Sequence, residues 1–148
     1  MKNRPGVIML AFAALFSIQC SHAPEPSAGQ HSAHATPQST SQVPAYLEAG
    51  PNLAQLGPTL PPDEFYGKTR AAYKAVREIP RTIAQLPCYC HCDRGFGHKS
   101  LHSCFEDDHA AHCAVCVDEA LMAYHLEKDD QLSPEQIRAR IIAEFSGK

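Results

Sequence analysis

Three cysteines fall within five positions, Cys88, Cys90 and Cys92, separated only by Tyr89 and His91. Three further thiols follow at Cys104, Cys113 and Cys116, and six of the nine histidines lie from His91 to His125. Thiolate sulfur and imidazole nitrogen are the donors of zinc and copper sites. The same thiols can instead pair as disulfides or exchange electrons. Three chemistries therefore compete for one stretch of chain.

Spacing weighs on the choice. An even set of six cysteines in an exported chain is the usual mark of a disulfide framework. Residues two apart bridge badly, because the ring is small and the S–S torsion must lie near 90°. Cys88, Cys90 and Cys92 would each need a partner among Cys104, Cys113 and Cys116. Metal binding asks less of the backbone, since a C-x-C-x-C loop can turn several thiolates towards one point. Cys113 and Cys116, three apart on a helix, add two more on one side. His109 and His112 each stand four residues before one of these cysteines and share its face. The expected ligands are Cys88, Cys90, Cys92, Cys104, Cys113, Cys116, His109 and His112. Six sulfurs exceed one four-coordinate zinc, which leaves two ions or one site with spare thiols. The donor set suits Zn²⁺ or Cu⁺.

Redox exchange is the third reading. Cys113 near a helix N-terminus would be acidified, as reactive C-x-x-C thiols are, yet the strands of a thioredoxin-type setting are not legible. No catalytic constellation stands out either. His109 and Cys113 can be drawn as a nucleophile–base pair, but nothing marks an oxyanion site. Gly95 and Gly97 lie outside any strand–turn–helix phosphate frame. Glu106, Asp107 and Asp108 read as solvated loop charges. The expected role is binding rather than catalysis.

The elements that must carry these donors are helical. Phe65, Ala72, Tyr73 and Val76 form an apolar stripe over residues 63–78, closed by Pro80. Residues 81–86 have room for a turn or two. The span 88–109 shows no sustained period and reads as a long loop, a kind that is unusual unless functional. A second helix is expected over 110–128, with Cys113, Cys116, Val117, Ala120, Leu121 and Tyr124 inward. Asp118, Glu119 and Glu127 would face away. The third helix carries the clearest signals: Ser133 as cap, Pro134 at the first position, Gln136 closing a capping box, and Ile137, Ile141, Ile142 and Phe145 buried. The expected fold is a small all-α domain of three to four helices over residues 63–148, thin enough to want a staple.

Upstream, Lys2 and Arg4 precede a twelve-residue apolar run, residues 7–18. That is too short to span a bilayer as a helix and fits the core of a secretory signal, here residues 1–20. Cys20 stands where a bacterial lipoprotein carries its acylated cysteine, although Ser17, Ile18 and Gln19 make a poor lipobox. Ordinary cleavage after Ser21-His22-Ala23 is the rival. Residues 21–62 hold eight of the twelve prolines and only Glu25 and Glu48 as charges, the composition of a flexible or extended tether. The chain is expected to be exported, tethered to a membrane through Cys20 or free in the periplasm or outside the cell. No basic stripe for nucleic acid exists, and no protein partner can be read.

The run "PCYCHC" at 87–92 resembles a family of bacterial exported proteins and lipoproteins named for a Pro-Cys-Tyr-Cys-Gly-Cys motif. The likeness continues through "GHKS" at 97–100, Cys104, "HCAVCVDEAL" at 112–121 and the last helix. That family is largely uncharacterised, so the resemblance implies location and a cysteine site rather than an activity. His91 stands where the family has Gly. A glycine there implies positive φ, so His91 either strains the loop or adds an imidazole ligand.

Overall fold

Helices follow one another along the whole Cys-rich portion of the chain, and no strand occurs among the described residues. The computed structural model describes residues 42–48 and 50–147, all within one compact unit. The N-terminal apolar run, Cys20 and residues 21–41 of the expected tether lie outside the described residues. The α-helices are α1 (Gly67–Glu78), α2 (Pro80–Ile83), α3 (Cys92–Gly95), α4 (Ala114–Lys128) and α5 (Pro134–Phe145). Short 3-10 turns occupy Leu53–Gln55, Pro62–Glu64, Leu101–Phe105 and His109–His112. The domain is all-α, as its patterning predicts.

The first stripe buries Ala72, Tyr73 and Val76 as expected, together with Ala75. Its helix starts later than residue 63. Phe65 and Tyr66 are extended, and Gly67 takes a φ of 56°, a left-handed turn that any side chain would strain. The extended Phe65 then stacks on Tyr73 with ring centroids 4.0 Å apart, and Tyr73 meets Phe105 edge-on at 4.9 Å. The Tyr73 hydroxyl donates to the Asp107 carbonyl at 2.7 Å, which satisfies a polar group that would be costly unpaired. Burial pushes its pKa well above the usual phenol range.

Helix α4 packs against both α1 and α5, so more than one of its faces is covered. Cys116, Val117, Ala120 and Ala123 are buried, while Leu121 and Tyr124 are half-buried. Glu119, expected on the outer face, is completely buried. Its position, three after Cys116 and four before Ala123, belongs to the inward face. Helix α5 begins as its sequence predicts. The Gln136 N–H donates to Ser133 Oγ at 3.4 Å, and the Ser133 N–H donates to Gln136 Oε1 at 2.9 Å. Ile137, Ile141 and Phe145 are buried and Ile142 half-buried.

The span 88–109 is not an unstructured loop. Helix α3 and one 3-10 turn lie within it and a second turn starts at its end, each of four or five residues, too short to print an apolar period. Leu101, His102, Cys104 and Phe105 are buried in the middle turn, which is tied back by the Leu101 N–H donating to the Leu86 carbonyl at 2.9 Å.

Residues before Asp63 also lie on this unit. Pro44 and Pro51 are buried, and Arg138 sits 4.7 Å over the Tyr46 ring. The Leu47 N–H donates to the Ala84 carbonyl and the Leu60 N–H to the Phe105 carbonyl, both at 3.0 Å. Gly57 runs so close to Glu106 that a Cβ would come within 2.6 Å of its carboxylate. The folded unit therefore extends upstream of Asp63.

Candidate metal centre

The donors come from several short elements and from the start of α4. Cys88 and Cys90 flank a turn in which the His91 N–H donates to the Cys88 carbonyl at 3.0 Å. His91 then takes φ 56° and ψ 32°, the left-handed geometry that a glycine would hold freely. This reversal carries Cys92 onto α3. The chain turns again at Gly97, φ 72°, which brings His98 back towards Cys104 in the following turn. His109 comes from the last 3-10 turn and Cys116 from α4.

The sulfurs converge. Cys88 Sγ lies 3.3 Å from Cys90 and 3.4 Å from Cys116, and Cys116 lies 3.6 Å from Cys90. Cys92 and Cys104 approach to 3.2 Å. Two imidazoles close the cluster, with His98 Nδ1 3.3 Å from Cys104 and His109 Nε2 3.7 Å from Cys90. All six described cysteines are free thiols. These separations exceed the roughly 2.05 Å of a disulfide. The sulfur–sulfur distances sit within about 0.6 Å of the ~3.8 Å edge of a tetrahedron with 2.3 Å zinc–sulfur bonds. Cys88, Cys92, Cys104 and Cys116 are buried, and Cys90 is half-exposed.

Of the eight expected ligands, six are brought together: Cys88, Cys90, Cys92, Cys104, Cys116 and His109. Cys113 and His112 are not. Cys113 is the N-cap of α4, with extended backbone at φ −131° and ψ 107°, so the helical spacing to Cys116 does not aim its side chain inward. Among the described residues its sulfur meets no other thiol or imidazole. His112 is exposed and faces Asp108, 3.5 Å away. The pair drawn between His109 and Cys113 likewise does not form, since His109 meets Cys90 instead. His91 belongs to none of the gathered donor groups; its ring packs edge-on to Tyr89.

Two contributors escaped the sequence reading. His98 follows a turn glycine and precedes Cys104 by six residues, the local signal that marks it. Glu119 supports the cluster from behind: its Oε1 accepts the Tyr89 N–H at 2.9 Å, while Oε2 is buried without a hydrogen-bond partner. Burial raises its pKa to about 8, against the opposing effects of the Tyr89 N–H and Cys88. Glu106, read as a solvated charge, lies 3.1 Å from the Nδ1 of buried His102.

The crowded thiols do not ionise alike. The nearby thiols of Cys104, then Cys116, Cys88 and Cys92, hold the Cys90 thiol below the usual range. Cys104 is pushed up, first by its contact with Cys116. A cavity of ≈ 490 Å³, whose walls include Cys90, Phe96, His109, His112 and Cys113, opens beside the half-exposed thiol. The arrangement fits soft or borderline metal ions: thiolate-rich, imidazole-supplemented, buried, and reached from solvent at one corner.

A family model described as a protein of unknown function with PCYCGC motif matches residues 7–147. The chain belongs to that family. The match takes in all seven cluster donors as well as the residues upstream of Asp63 that lie on the domain. His91, in place of the glycine of the motif, keeps the backbone shape that the glycine implies. No curated protein and no solved structure matches the chain.

Proposed function

We propose that this chain is an exported, membrane-tethered domain that binds Zn²⁺ or Cu⁺ through clustered thiolates, to handle the metal or to staple its own fold. The convergence of five sulfurs and two imidazoles on one buried locus carries this reading. A purely disulfide-stapled module fits less well. Cys92 with Cys104 and Cys88 with Cys116 are near enough to pair, but Cys113 is left without a neighbouring sulfur. Export and tethering rest on the apolar run at 7–18 and on Cys20 behind it.

Elemental analysis beside thiol counting, on mature protein from its own host, tests the metal. Bound zinc or copper is expected, with five thiols that react only after chelation and Cys113 reacting without it. Two or three intact disulfides without metal would overturn the reading. Mass spectrometry of the same material tests the tether. A diacylated Cys20 is expected, and a chain beginning at Pro24 would refute the anchor while leaving the metal unaffected.

A further inference from the structure

Resting on that metal-binding reading, we propose that the cluster is built for two ions, with Cys104 as a thiolate shared between them. The donors divide in only one economical way. Cys88, Cys90 and Cys104 lie mutually within 4.8 Å. Cys116 is 3.4 Å from Cys88, 3.6 Å from Cys90 and within 4.8 Å of Cys104. These four make an all-sulfur group. Cys92, His98, Cys104 and His109 make a second group, also mutually within 4.8 Å. The two groups have one member in common.

Coordination arithmetic agrees. Two four-coordinate ions need eight donor positions, and seven ligands supply eight when one of them bridges. No cluster donor is left over and none is lacking. The bridge must be a sulfur, because a thiolate has lone pairs for two metals and an imidazole nitrogen has one. Cys104 is the shared cysteine, and it is fully buried at the centre of the cluster.

Charge points the same way. One divalent ion among five thiolates would leave three negative charges in a buried site, whereas two divalent ions leave one. Uncompensated buried charge is costly. The two positions are chemically unequal, an S₄ site beside an S₂N₂ site, so they should be distinguishable by spectroscopy.

The test is a Zn²⁺ titration of the reduced mature protein against a competing chromophoric chelator, followed by loading with ¹¹³Cd²⁺. Saturation at two equivalents is expected. The cadmium form should give two resonances of equal intensity, the S₄ ion further downfield, with scalar coupling between them through the shared sulfur. Cys92→Ser should lose the S₂N₂ resonance and keep the other. Cys104→Ser should lower the stoichiometry to one or less, and Cys113→Ser should keep it at two. Saturation at one or three equivalents, or two wild-type resonances without coupling, would overturn the shared centre while leaving metal binding intact. No uptake at all would overturn both.

Discussion

Around Ile137, Ile141 and Phe145 the interior is hydrocarbon, packed between helices of 12 and 15 residues. Around Cys104 it is sulfur and imidazole, carried mostly on turns of 4 or 5 residues, with Cys116 supplied by α4. Long amphipathic helices gain stability from apolar area, at about 25 cal/mol per Å² removed from water. Single turns lie below the length at which a helix sustains itself. The first region can hold its shape by packing alone, whereas the second needs something to fasten its ends together. On the proposed reading that fastening is the metal.

Removing the metal is the harshest way to break the comparison. Chelation of reduced protein should lower amide-exchange protection across 88–112 by about a hundredfold or more, while α5 and the middles of α1 and α4 stay protected. Simultaneous loss in both regions would show that they form one cooperative unit. The converse change is Ile141→Ala, which opens a cavity in the hydrocarbon region. It should cost about 2–5 kcal/mol in urea unfolding of the loaded protein, with metal per folded molecule unchanged. A lowered metal content would mean that the two regions are coupled.

Glu119 sits where the regions meet, and its effect depends on pH. Its folded-state pKa is raised from 4.5 to about 8, so the folded chain keeps a proton that the unfolded chain has released. The stability associated with the protonated carboxyl is full below about pH 4.5 and is lost as pH rises to about 8. Glu119→Gln retains an acceptor for the Tyr89 N–H and cannot ionise. In the loaded protein, the variant's stability relative to wild type should therefore rise by about 1.4 kcal/mol per pH unit across that window. A pH-independent difference between the two proteins would refute the assignment. The smallest effect is expected at His91. Replacing it by Gly relieves the left-handed backbone and should stabilise the loaded protein by up to about 1 kcal/mol. Metal content should hold, and a fall in it would make the imidazole a ligand after all.

Legibility in the sequence follows the same division. Helix α5 was readable because everything it needs is local: Ser133, Pro134, Gln136 and isoleucines four apart. The donor region was readable in kind but not in geometry. Nothing local to Cys113 says that α4 starts one residue later and leaves that thiol outside. Glu119 carries a charge that hydropathy assigns to water, and its burial depends on an N–H thirty positions away. His98 was visible among the clustered histidines but was not assigned as a ligand, because only the fold of 97–104 brings it to Cys104. The proline-rich composition before Asp63 gave no sign that Pro44 and Pro51 would be buried.

Seating Pro44 on the folded unit also shortens the leash. On the proposed anchoring through Cys20, the stretch between anchor and folded unit ends near residue 44 rather than 63. That removes on the order of 65 Å of reach at about 3.5 Å per extended residue. On that proposed anchoring, the centre would exchange ions with donors and acceptors within reach of the same bilayer face.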